Sequence, residues 1–205
     1  MHETDLPSEM EKGDQSTLAY RGPKLPNVAE DLLVSNVLDL DCDERLWVPQ
    51  APDVWFQPLC FNVSQGYFVN ILPVGKSGIL SRHRHAGPVH ATILRGRWHY
   101  LENDWWAEEG GYAYEPTEDI YTLEVPGGVK EMVTLFHVAG ACIYVDPGGV
   151  ALGIEDVFSK LQAARKHYEE VGLGADFADH IEECALSQSN TSSLSVPIHQ
   201  SPSIP

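Results

Sequence analysis

Positive charge is scarce in this sequence. Thirteen lysines and arginines stand against thirty aspartates and glutamates in 205 residues, a formal net charge of −17. A protein that grips nucleic acid through its phosphates needs a basic face, so the balance argues against that partner. The acidity serves solubility and points to no particular ligand. Long apolar runs are missing too. None approaches the ~20 residues that cross a bilayer, and Met1-His2-Glu3-Thr4-Asp5 lacks the basic and apolar regions of a secretory leader. The four cysteines, Cys42, Cys60, Cys142 and Cys184, are scattered and form no Cys-x-x-Cys. Reduced thiols are expected, with Cys60 and Cys142 as packing side chains in strand-like sequence. The acidic cluster around Asp39, Asp41, Asp43 and Glu44 lacks the glycine and terminal glutamate of an EF-hand loop. Ser81 has no Asp-His arrangement at triad spacing, which argues against a nucleophilic hydrolase. These absences describe a soluble, cytoplasmic protein with no nucleic-acid and no membrane partner.

What is present is enough apolar sequence, 43% of residues, for one core. Residues 1–25 are polar and acidic without hydrophobic period and read as a mobile arm. Residues 26–186 read as a single domain, and the Ser-, Asn- and Pro-rich residues 187–205 as a disordered tail. From Trp47 onward, short alternating runs are punctuated by Gly, Pro, Asn and Asp, with no helix between them. Many short strands at regular spacing predict an all-β sandwich or barrel. After Gly148-Gly149 the period changes. Val157, Phe158, Leu161, Ala164, Tyr168 and Val171 recur at helical spacing, with Lys160, Arg165, Glu169 and Glu170 on the other face. C-terminal helices are expected within residues 155–184, the second capped by Asp176.

The chemistry centres on His83-Arg84-His85. Residues two apart on a strand project to one face, so a His-x-His pair aims two imidazoles at one spot, as a divalent metal requires. His90 follows five residues later and is a third candidate ligand. Gly96 then ends the next strand at a tight turn flanked by Arg95 and Arg97; Arg97 is a candidate for orienting an anionic oxygen. His137, on Thr134-Leu135-Phe136-His137, is a candidate pocket histidine. Glu115 and Asp119 are candidates for a base that enolises a ketone, although acidic loop residues are most often solvated. Trp98, Trp105, Trp106, Tyr112 and Tyr114 are expected mostly to pack the core, with one or two lining an aromatic pocket.

Residues 54–179 resemble the small cupins grouped with 2,4′-dihydroxyacetophenone dioxygenase, relatives of acetylacetone-cleaving dioxygenase. The resemblance is carried by Arg82-His83-Arg84-His85-Ala86-Gly87-Pro88-Val89-His90, Leu94-Arg95-Gly96-Arg97-Trp98, Tyr114-Glu115-Pro116, Glu131-Met132-Val133-Thr134-Leu135-Phe136-His137-Val138 and Ile143-Tyr144-Val145-Asp146-Pro147. It implies a double-stranded β-helix (jelly-roll) barrel holding non-haem iron, Fe2+ or another divalent metal, on histidines. It also implies a small carbonyl or phenolic substrate, dioxygen as co-substrate, cleavage of a hydroxyketone or diketone, and a homodimer. His83 and His85 fall on the first two ligands of that family. The third comes from a motif Gly-x5-Pro-x-Gly-x2-His, which here runs from Gly110 through Pro116 but carries Glu118 for the second glycine and Tyr121 for the histidine. Three outcomes stand open: Tyr121 ligates as a phenolate, His90 completes the site, or the metal is weak or lost. His90 sits where many cupins carry glutamate (His-x-His-x4-Glu), yet five residues rather than six separate it from Gly96, and a one-residue slip turns a strand side chain to the opposite face. Two other functions remain beside the dioxygenase. One is a tailoring enzyme performing oxidation, isomerisation or dehydration on a polyketide-like or phenolic intermediate of secondary metabolism. The other is a metal-free binding barrel.

Overall fold

The structure is a computed structural model that describes residues 18–23, 26, 31–40, 42–117 and 119–182. The expected tail, most of the expected arm, Glu118 and Cys184 lie outside the described residues. The described chain forms twelve strands, several with alternating buried and exposed side chains: β1 (Val48–Ala51), β2 (Val54–Asn62), β3 (Tyr67–Val74), β4 (Gly78–His85), β5 (Val89–Arg95), β6 (Arg97–Tyr100), β7 (Ala107–Glu108), β8 (Tyr112–Glu115), β9 (Ile120–Val125), β10 (Met132–Ala139), β11 (Ala141–Val145) and β12 (Ala151–Asp156). Two helices follow, α1 (Val157–Glu170) and α2 (Phe177–Glu182). The strands form two six-stranded sheets, β1-β2-β3-β10-β5-β8 and β12-β11-β4-β9-β6-β7. Every pairing is antiparallel.

Both sheets turn one face to a common core that includes Phe56, Phe61, Ile93, Trp98, Tyr100 and Met132. Trp98 is fully buried, and its indole Nε1 donates to Thr134 Oγ1 at 3.0 Å, so the largest core side chain leaves no donor unsatisfied. Gly96 joins β5 to β6 at φ 72°, where a Cβ would lie 2.4 Å from the Glu131 carbonyl oxygen. Only glycine fits both the left-handed backbone and that approach. A second cluster covers the outer face of the first sheet, where Val37, Leu40 and Trp47 pack over Leu59, Ile71 and Val133.

Several expectations need correction. Tertiary contact, not local pattern, decided which aromatics are inside: Trp105, Trp106, Tyr112 and Tyr114 are all exposed, and of the five only Trp98 is core. Strand β12 was not legible in the sequence, because its residues 151–154 are all exposed and show no alternation. The phase of α1 is also shifted. Lys160 is buried with Val157, Leu161, Ala164 and Tyr168, while Phe158 faces solvent. Lys160 occupies the i+3 position of that stripe, geometrically an inward site whatever its charge.

Helix α1 packs on β1, β2 and β12. It starts with a capping box: Asp156 Oδ1 accepts from the Ser159 amide at 2.8 Å, and Ser159 Oγ accepts from the Asp156 amide at 2.8 Å. Asp156→Ala is expected to cost ~1 kcal/mol in chemical denaturation. A loss near zero would show that packing alone sets the start of this helix.

Candidate metal centre

Strand β4 lies third in its sheet, between β11 and β9. Register fixes what surrounds its histidines. Tyr144 of β11 and Tyr121 of β9 stand opposite His83, and Cys142 of β11 stands opposite His85. Because alternate residues share a face, His83 and His85 point into the molecule at 4% and 6% exposure, while Arg84 between them faces out. Their Nε2 atoms are 3.2 Å apart. Ser81 Oγ lies 2.9 Å from His83 Nδ1, holding the ring so that Nε2 faces its neighbour. Burial, and then the adjacent His85, push the His83 pKa down to about 3, so the ring is neutral at pH 7.

The third group is an acid from the other sheet. Glu115, at the end of β8, has a side chain only 1% exposed, and its Oε2 lies 2.9 Å from His85 Nε2. His85 Nδ1 has no hydrogen-bond partner among the described residues, and the Glu115 oxygens, beside the Tyr100 hydroxyl and His85 Nε2, make no well-aligned one. A buried carboxylate so sparsely served is costly unless something else occupies its lone pairs. Donors on adjacent positions around a divalent ion at ~2.1 Å lie ~3 Å apart, which matches both measured separations. The donors present fit a divalent metal: the two imidazoles, with the Glu115 carboxylate on the His85 side. Cys142 Sγ belongs to the same neighbourhood, within 4.8 Å of a nitrogen on each histidine. Burial raises the pKa of its thiol far above the usual range, so it carries a proton unless a cation displaces it.

Tyr121 is buried beside the site, its ring centroid 6.1 Å from His85 and 4.5 Å from Tyr100. Burial, with Asp119 and Glu115, raises its pKa and keeps the phenol protonated. Tyr100 is held well above its usual range by burial and the neighbouring Glu115 carboxylate. His83, His85, Glu115, Cys142 and Tyr100 meet one cavity of about 330 Å³, whose apolar wall includes Phe68, Leu72, Leu80, Leu123, Phe136 and Val138.

Three candidates lie elsewhere. His90 is on the opposite face of β5 from the inward Val89 and Ala91. Its Nδ1 is 2.5 Å from the Tyr112 hydroxyl, and its ring stacks on His137 at 5.7 Å. His137 is directly opposite it on β10, facing outward and edge-on to Tyr67. Burial and His90 lower the His137 pKa. The structure thus does not bring His90 or His137 to the pair. The residue separated from Gly96 by six others is Val89, which does face inward and stands opposite Glu115. The one-residue shortening therefore turned the histidine out, and the acid at this level comes from β8 instead. Arg97 is a surface residue, its guanidinium 4.9 Å from the Trp106 ring centroid and 3.8 Å from Glu108.

Sequence reasoning treated Cys142 as packing and weighed Glu115 as a solvated loop acid. The structure places both at the site. No spacing along the chain signals Cys142, since only the β11–β4 register brings it to His85.

The burial of a neutral His83 links folding to protons in the metal-stripped protein. The unfolded imidazole protonates near its ordinary ~6.5, whereas the folded one resists until about 3. Its contribution is whole above the unfolded value and is lost as pH falls towards the folded one. Denaturation midpoints are expected to drop across that window, and less steeply in His83→Gln; equal slopes would refute the linkage.

Two antiparallel sheets enclosing a His-x-His pair and a buried acid define a cupin. The chain belongs to the ChrR cupin-like domain family, whose profile matches residues 36–143. Among solved structures it is similar to an RmlC-like cupin protein of Ralstonia eutropha JMP134, with 24% identity and a TM-score of 0.58 over 62% of this chain and 83% of that one. It is also similar to an acetylacetone dioxygenase of Acinetobacter johnsonii, with 15% identity and a TM-score of 0.58 over 73% and 99%. At such identities the likeness shows the fold alone. No curated protein matches the sequence. Among the described residues no helix is long and apolar enough to cross a membrane.

Proposed function

We propose that this protein is a metal-dependent cupin oxidoreductase of the dioxygenase type, which binds Fe2+ at His83, His85 and Glu115 and oxidises a small carbonyl or phenolic compound. The observation that carries this reading is the convergence of two buried imidazoles and a buried carboxylate, with atoms lacking well-aligned partners, on a cavity of substrate size. When bound, the ion would act as a Lewis acid on a substrate carbonyl and hold both reactants in position. The protein's own contribution is arrangement. Ser81 orients the His83 ring. Tyr100, kept protonated and lining the cavity, can donate a hydrogen bond to an anionic substrate oxygen. The apolar wall excludes water from a reactive enolate. The structural likeness to an acetylacetone dioxygenase supports the choice of a diketone or hydroxyketone as first substrate to try.

Cys142 favours a second reading. A thiolate with two histidines suits zinc, and a zinc cupin would isomerise or dehydrate its substrate without oxygen. Anaerobic reconstitution followed by elemental analysis and oxygen-electrode traces with acetylacetone and 2,4′-dihydroxyacetophenone separates the two. One iron per chain and substrate-dependent oxygen uptake is the expected result. Zinc retention without uptake would favour the second reading, and a protein that takes up no metal would reject both.

A further inference from the structure

The cavity that receives His83 and His85 is also lined by Lys160, which the chemistry above leaves unused. It is the only lysine or arginine among the described residues lining that cavity, in a protein poor in basic residues. Its side chain is 3% exposed. Nζ donates to Gln50 Oε1 at 2.7 Å, lies 3.2 Å from Glu155 Oε1, and sits 3.9 Å from the centroid of the Phe56 ring and 5.5 Å from that of Phe68.

The buried ammonium is held by Gln50, Glu155 and the Phe56 face, and because Gln50 and Glu155 line the cavity with it, the charge is presented to whatever fills that space. The position is tied to the metal centre by register. Glu155 on β12 stands opposite Cys142, which stands opposite His85. The backbone of Glu155 is thus two strand spacings, ~10 Å, from that of His85. Tyr144, opposite His83 with its ring centroid 6.4 Å away, fills the wall between. Each end of the cavity carries an acid, but they differ: Glu115 at the histidine end is 1% exposed and held inside, whereas Glu155 beside Lys160 is one-fifth exposed and can yield the ammonium to a ligand carboxylate.

We infer that Lys160 anchors a substrate carboxylate, so that the substrate of this site is an acidic dicarbonyl compound with its carbonyls towards His83, His85 and Glu115. This rests on the proposed metal centre for the placement of the carbonyls, but not for the anchor itself. A carboxylate at Lys160 gains a charge-assisted hydrogen bond in a water-poor space, and repulsion by Glu115 disfavours the reversed pose. Burial lowers the Lys160 pKa, an effect Glu155 opposes; a bound carboxylate opposes it in the same sense.

The test compares two ligands that differ in one group: 2,4-dioxopentanoate, and acetylacetone, which carries a methyl in place of the carboxylate. Dissociation constants are measured anaerobically by calorimetry on metal-loaded and metal-stripped protein, wild type and Lys160→Met. Wild-type protein in both forms is expected to bind the acid at least ~10-fold more tightly than the diketone, and Lys160→Met to bind the two alike. Equal affinities in stripped wild type would overturn the anchor whether or not the variant folds, as would an undiminished preference in folded Lys160→Met. A Lys160-dependent preference in protein that takes up no metal on reconstitution would keep the anchor and reject the metal centre, so the two failures are distinct.

Discussion

Replacing His83 with alanine is expected to abolish metal binding, from close to one ion per chain to below ~0.1 after equal reconstitution and desalting. The effect is large because His83 supplies a neutral, buried donor whose ring is already oriented. Ser81 occupies Nδ1 at 2.9 Å, and burial keeps the proton off until about pH 3. No other described side chain replaces Nε2 at that point, since Tyr121 and Tyr144 opposite it on the neighbouring strands are phenols with raised pKa values. His90→Ala is expected to leave occupancy unchanged, because that ring is stacked on His137 on the outer face of the other sheet. Elemental analysis reads both variants. Full occupancy in His83→Ala would reject the centre.

Glu115→Gln is expected to weaken metal affinity by more than ~100-fold, since loss of a partner that merely orients a ligand already costs 10–100-fold. The same substitution should raise the melting temperature of the metal-free protein. In that state Glu115 is a carboxylate 1% exposed, with neither oxygen in a well-aligned hydrogen bond among the described residues, and an amide of equal shape removes the buried charge. Opposite signs on metal affinity and metal-free stability are the signature of a group kept for a ligand. A purely structural acid would lose stability when neutralised. Tyr121→Phe is the control, expected to retain metal, because the phenol packs on Tyr100 and does not line the cavity. Loss of metal in Tyr121→Phe but not in Glu115→Gln would transfer the third position to the phenol.

The all-β pattern and the inward aim of two imidazoles were legible along the chain, because both depend on the period of two that the backbone imposes locally. The helical period after Gly149 was legible as well, but not its phase. Lys160 was assigned to the solvent face by its charge, and only the docking of α1 on β1, β2 and β12 turned it inward.

Local period outlined most of the strands, though not β12, and put His83 and His85 on one face. What those rings meet was settled only by how the sheets pair and close. Cys142 and Glu115 reach the pair through the β11–β4 register and the facing of β8 across the core, and one residue fewer before Gly96 turned His90 away. Partners across strands are set by pairing, loop length and the closing of two sheets on one core, and residues distant along the chain carry no local mark of that meeting.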